Sequence, residues 1–102
     1  MTINSRQKGN RGEREFAAFL REHGYEARRG QQFSGGGDSP DVVSNLPFHI
    51  EVKRTERFSL YPSMDQAKAD AGDRVPIVCH RASHRPWVVV MDARDFLKLI
   101  GG

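Results

Sequence analysis

Only one cysteine, Cys79, occurs in the 102 residues. An intramolecular disulfide framework is therefore excluded, which suits a reducing cytosol and leaves stability to packing. No apolar run is long enough to span a bilayer, and no signal-peptide core is present. Secretion and membrane insertion are not expected, and the chain reads as intracellular. Internal repeats and long linkers are missing as well, so residues 1–102 are expected to form one domain around a single modest core. His80 and His84 flank an expected turn without metal-ligand spacing, which argues against zinc. No small-molecule cofactor is expected.

Sixteen Lys and Arg oppose thirteen Asp and Glu, for a net charge of +3, an excess that suits a polyanionic partner without proving one. Distribution says more. Seven cations fall between Arg6 and Arg29, and Lys53, Arg54 and Arg57 form a second cluster. Solvated surface explains either cluster equally well.

Residues 1–10 are polar and aperiodic, so a flexible basic arm is expected there. Helical spacing of Phe16, Phe19 and Leu20 predicts a helix from Gly12 to His23, stopped by Gly24. A short strand is expected over Tyr25–Arg29, then a glycine-rich loop to Pro40. Asp41–Ser44 and Phe48–Arg54 read as strands joined by a turn at Asn45–Pro47. Ser63 and Gln66 resemble a capping box opening a second helix that runs to Ala71. Val75–His80 and Trp87–Met91 read as a hairpin, with Cys79 buried and Trp87 in the core or a dimer contact. A last helix over Asp95–Ile100 is expected to cap one end of the core.

Glu13 lies three residues before Phe16 and seven before Leu20, on or beside the core stripe. A carboxylate there needs a cation or metal, because an unpaired buried charge is costly. A first-turn Glu helped by the helix dipole is the plainer alternative. Period-two alternation points Phe48, Ile50 and Val52 to one face of their strand, and His49, Glu51 and Lys53 to the other. Asp41, nine residues before Glu51, lies on the adjacent strand. Two converging carboxylates suit Mg²⁺, which takes one or two carboxylates, keeps waters and accepts a phosphate oxygen. Lys53 can then contact a scissile phosphate. A surface ladder with a cross-face ion pair is the bland account of the same residues. His49 shares the Glu51 face but is set aside as an ordinary satisfied polar residue.

Lys8-Gly9, Gly12-Glu13-Arg14-Glu15, Gly24-Tyr25 with Arg29, Ser34-Gly35-Gly36-Gly37, Pro40-Asp41-Val42-Val43, Ile50-Glu51-Val52-Lys53 and Tyr61 with Gln66 follow in a distinctive order. In order and spacing they resemble the PD-(D/E)XK nucleases, and within them the archaeal-type Holliday junction resolvases and their phage or bacterial relatives. The resemblance implies an α/β, restriction-endonuclease-like domain: a mixed central sheet flanked by helices. It implies Asp41 and Glu51 as metal ligands, Glu13 as a further acid reaching the metal, and Lys53 as the catalytic lysine. Arg14 and Arg29 become phosphate contacts, Ser34 and Gln66 approach the DNA, and Lys8 and Arg54 join them as cations of the two clusters. Mg²⁺ is the expected cofactor, with Mn²⁺ able to substitute, and branched DNA the expected partner. Four-way junctions are two-fold symmetric and need paired cuts, so a homodimer is expected, with Phe58, Leu60 and Tyr61 as candidate apolar anchors.

The chain departs from that pattern in its long glycine-rich loop, where Asp38 is either an alternative ligand or a turn residue. Other expectations stay open: a nickase, a restriction or repair nuclease, or a DNA-binding module without turnover.

Overall fold

The computed structural model describes residues 5–30 and 40–101, with side chains from Asn10 onward. Its elements run α1 (Ser5–Glu22), β1 (Ala27–Arg29), β2 (Val42–Ser44), β3 (Phe48–Arg54), α2 (Leu60–Asp70), β4 (Val75–Arg81), β5 (Val88–Met91) and α3 (Ala93–Gly101). The five strands form one sheet in the order β1-β2-β3-β4-β5. Neighbours are antiparallel except β3 and β4, which run parallel with Ile50 opposite Ile77 and Lys53 opposite His80. A parallel pair cannot be joined by a tight turn, and α2 is the crossover. The expected mixed α/β sheet is thus present.

Strand alternation divides the core between the two faces of the sheet. Ile50, Val52, Val42, Ile77 and Cys79 meet Phe16, Ala17 and Leu20 of α1. On the other face Val78 meets Met64 and Ala67 of α2, with Phe58 and Val90 packed against them. Trp87 tilts against Phe16 with ring centroids 4.8 Å apart, so it belongs to the first of these clusters. Within α1 the buried positions Glu13, Phe16, Ala17 and Leu20 follow the i, i+3, i+4, i+7 pattern of a helix stripe. Gly12 begins that contact. A Cβ at position 12 would lie 2.6 Å from the Arg54 Cβ, so glycine lets the helix rest on β3.

Three expectations need correction. The arm expected over residues 1–10 is helical from Ser5, while residues 1–4 lie outside the described region. Gln, Lys and Arg are good helix formers and need no apolar period once a packed helix follows them. Next, α2 is entered from Ser59, one turn before the expected cap, and Ser63 is buried inside the helix. Finally, α3 does not cap the core: none of its residues is buried, and Phe96, Leu97, Leu99 and Ile100 are all exposed. Amphipathic spacing identified the helix but not what its apolar side faces.

Candidate active site

Asp41 sits one residue before β2 and is braced on three sides. Its N–H donates to the Ile50 carbonyl at 2.9 Å, and its own carbonyl accepts from the Gly30 N–H at 2.8 Å. The Val52 N–H donates to Asp41 Oδ2 at 2.8 Å, which fixes the carboxylate against the β3 backbone between Glu51 and Lys53. The brace depends on glycine at position 30. A Cβ there would fall 2.1 Å from the Pro40 carbonyl oxygen, an overlap that no backbone neighbour can absorb cheaply.

Glu51 projects from the α2 face of β3 and is nearly buried, 9% exposed. Burial, and then the Asp41 carboxyl beside it, hold its carboxyl well above the usual range; Asp70 of α2 adds to this and Lys53 opposes it. His49, two residues earlier on the same face, is 2% exposed, and its Nε2 lies 2.8 Å from Glu51 Oε1. The histidine set aside in the sequence is therefore the close partner of a candidate ligand. Its signal was legible: the same face of one strand, two residues away. Beside it an open groove of about 360 Å³ is lined by Pro40, Ser44, Phe48, His49, Ala71 and Arg74.

Glu13 reaches the cluster from α1. It is 5% exposed, and burial followed by the Asp41 charge pushes its pKa from 4.5 up to about 7, against the pull of Arg29 and Arg14. Arg29 Nε stands 3.6 Å from Glu13 Oε1, too far for a hydrogen bond, and both atoms are buried without a hydrogen-bond partner. The other end of that guanidinium is held, Nη2 donating to Asn10 Oδ1 at 2.8 Å. Asn10 falls in the stretch whose sequence reads as an arm, and nothing in that sequence marks it as the partner of Arg29. Glu15 faces elsewhere, pairing with Arg54 at 3.1 Å and with Arg81. The two glutamates of α1 thus serve different neighbourhoods, as their separation of two helical residues requires.

Asp41 lies between the other two acids, with Glu51 on one side and Glu13 on the other. Among the described residues no three His, Cys, Asp or Glu side chains already stand close enough to hold one metal ion. The donor chemistry nonetheless fits a hard divalent cation. Three carboxyl groups supply oxygen ligands, two of them pay a desolvation penalty when ionised, and Glu13 Oε1 has no hydrogen-bond partner. Asp41 and Glu51 would hold the ion, with Glu13 closing from α1. Perturbed carboxyls grouped on one site are a functional signal rather than a stabilising one.

The remaining site residues divide. Lys53 is half-buried on the Glu51 face of β3, and Arg14 is exposed on α1. Arg54 is engaged by Glu15 and, more distantly, by Glu56, so a DNA contact from it would compete with those carboxylates. Gln66 is exposed on α2, one turn after buried Ser63 and next to buried Ala67. Lys8 lies within α1 but its side chain is outside the described residues, as are Ser34 and Asp38 with their loop.

A mixed sheet with a helix on each face and an Asp…Glu-x-Lys set on adjoining strands defines the restriction-endonuclease-like class of α/β nucleases. The chain matches the family model for the archaeal Holliday junction resolvase (Hjc) over residues 4–71, and it belongs to that family. Its fold is similar to that of Archaeoglobus fulgidus Hjc, a Holliday junction resolvase from an archaeal hyperthermophile. The TM-score is 0.56 at 22% identity, covering 82% of this chain and 72% of that one. No curated protein matches the chain. Family membership makes it a structure-selective junction nuclease.

Proposed function

We propose that this chain resolves four-way DNA junctions as a divalent-metal-dependent endonuclease, Mg²⁺ being the working ion with Mn²⁺ able to substitute, and that it acts as a homodimer. The reading is carried by one observation: Asp41 stands between two buried acids, Glu13 and Glu51, whose ionisation the fold disfavours. Asp41 and Glu51, with Glu13, would hold a divalent cation that relieves that penalty, and the ion would supply charge neutralisation at the scissile phosphate and a more acidic water.

The chain's own residues then divide the work. Asp41, pinned by the Val52 N–H, fixes where the phosphate must approach. Lys53, two residues beyond Glu51 on the same face, places a cation against that phosphate. Arg29 and Arg14 contact neighbouring phosphates, Arg29 already held by Asn10, with Lys8, Ser34, Arg54 and Gln66 as the outer DNA contacts. His49 orients Glu51 through its 2.8 Å contact.

Cleavage of a labelled four-way junction, a fork, linear duplex and single strand, each with Mg²⁺ and with chelator, tests this reading. Paired metal-dependent cuts in the junction are expected, with the linear substrates largely spared. Equal cutting of all four substrates would overturn the junction preference, and undiminished cutting in chelator would overturn the metal.

A further inference from the structure

Helix α3 is attached to the domain by charge rather than by burial. Its N-cap is Asp92, whose Oδ1 accepts from the Arg94 N–H at 2.8 Å and whose Oδ2 accepts from Lys68 Nζ at 2.8 Å. Those contacts hold the Asp92 carboxyl well below the usual carboxylate range. Beyond the cap, two grooves of about 540 and 250 Å³ separate α3 from the body, and Asp95 and Lys98 line both. Phe96 and Ile100, one turn apart, line neither groove and are 49% and 68% exposed, while Leu97 and Leu99 flank them and each edges one groove. The helix therefore turns Asp95 and Lys98 toward its own domain and Phe96 and Ile100 outward, with Leu97 and Leu99 at the borders of that outward stripe. It follows directly on β5, an edge strand whose Val88 and Val89 are also about half exposed.

We propose that this outward face of α3, flanked by β5, is the surface through which two copies of the chain pair. The inference rests on the two-site reading above and names its interface. Three observations select a second copy as the occupant. A two-fold interface is isologous, so it must complement itself; an uncharged apolar stripe does, whereas the basic faces of two chains, each with net charge +3, repel. The four α3 side chains, with whichever of the alternating Val88 and Val89 shares their side of the sheet, open on the order of 500 Å², more than half of the about 800 Å² per partner that a standard interface covers. Position also fits. The groove beside α3 is lined by Pro47, Phe48 and Val75, where β3 and β4 begin, while Lys53 lies toward the end of β3, so pairing through the outward face of α3 leaves Lys53 open to DNA.

Sedimentation of the full chain, alone and as Phe96→Glu, Ile100→Glu and Tyr61→Glu, tests the surface. Tyr61 is 78% exposed on α2 and serves as the contrast. The wild type and Tyr61→Glu are expected at twice the 11.5 kDa chain mass. The two α3 variants are expected as monomers with the wild type's circular dichroism spectrum and a melting temperature that no longer rises with concentration, self-association weakening at least about a hundredfold because symmetry buries each new charge twice. They should still nick a junction while losing its paired cuts. α3 variants that remain dimeric would overturn the surface but leave the dimer standing, as would dissociation by Tyr61→Glu alone. A monomeric wild type would overturn both, with its junction cleavage still reporting separately on the nuclease reading. Should the glutamate variants unfold, Leu97→Cys decides. Cys79 is fully buried, so a short bis-maleimide, adding across both introduced thiols, must then give a covalent dimer, and its absence overturns the proposal.

Discussion

Replacing Glu13 by Gln should stabilise the metal-free protein while crippling its chemistry, and the gain should depend on pH. In the unfolded chain Glu13 loses its proton near the ordinary 4.5; in the folded chain it keeps the proton to about 7. Between those values the folded state binds the additional proton, so stability falls as pH rises through this window and the loss is complete above it. The shift of about 2.5 units, at 1.36 kcal/mol each, bounds the penalty at about 3 kcal/mol. Gln has nearly the same shape and carries no charge. At pH 8 the variant should therefore melt above the wild type in chelator by up to about 12–24 °C, given about 4–8 °C per kcal/mol in a domain of this size.

At pH 5 the wild-type Glu13 is largely protonated when folded, and the difference should shrink to roughly a quarter of that, about 3–6 °C. Turnover should drop at least about tenfold, and Mg²⁺ should raise the melting temperature of the wild type more than that of the variant. Calorimetric scans at both pH values, with chelator and with Mg²⁺, make the comparison. A loss of stability at pH 8 would refute the reasoning, because it would make Glu13 a structural partner of Arg29 rather than a strained ligand. Glu15→Gln is the internal contrast. It removes partners of Arg54 and Arg81 and should bring no gain at pH 8.

Asp41→Asn and Glu51→Gln should abolish cleavage yet leave junction binding within a few-fold, since binding rests on phosphate contacts; full activity in either would sink the site assignment. Arg29→Ala or Arg14→Ala should weaken binding and flatten its slope against log salt by about one unit, and an unchanged slope would mean the arginine contacts no phosphate. His49→Phe should weaken Mn²⁺ binding about 10- to 100-fold by calorimetry, with His49→Gln recovering much of it. Equal binding by all three proteins would remove His49 from the site.

The parts of the site that one element specifies were legible in the sequence, and the parts that depend on distant elements were not. Alternation alone puts His49, Glu51 and Lys53 on one face of β3, and helical phase alone separates Glu13 from Glu15. Neither period says what lies opposite. Asp70 near Glu51, Asn10 on Arg29 and Arg81 on Glu15 depend on how α1, α2 and β4 are stacked. His49 follows the same rule: it is the satisfied strand histidine the sequence suggests, but the strand period does not say that what satisfies it is the candidate ligand itself. The error over α3 has the opposite form. Its apolar spacing was read correctly as amphipathic, but a stripe looks the same whether it faces the chain's own core or another molecule.

The same tension runs through the whole domain. Ile50 and Val52 anchor β3 to α1, while the alternate residues His49 and Glu51 take buried positions that apolar side chains would fill at lower cost. In a small domain, where total stability is expected to be about 5–15 kcal/mol, such a substitution of polar for apolar groups is a large concession. It persists beside backbone contacts with no tolerance for a larger residue, at Gly12 against Arg54 and at Gly30 against Pro40. Gly30 holds Asp41 through the backbone, and Asp41 reaches Val52 through its carboxylate. A Gly30→Ala change should accordingly displace the strut that places Asp41, costing both melting temperature and cleavage, although residue 30 is not one of the acids. Gly24 supplies the contrast, since its added methyl meets no atom within 4 Å and only its positive φ of 91° is strained. Gly24→Ala should lower stability by about 1 kcal/mol and leave turnover at fixed folded concentration intact. If Gly30→Ala behaved the same way, Asp41 would not owe its position to that contact.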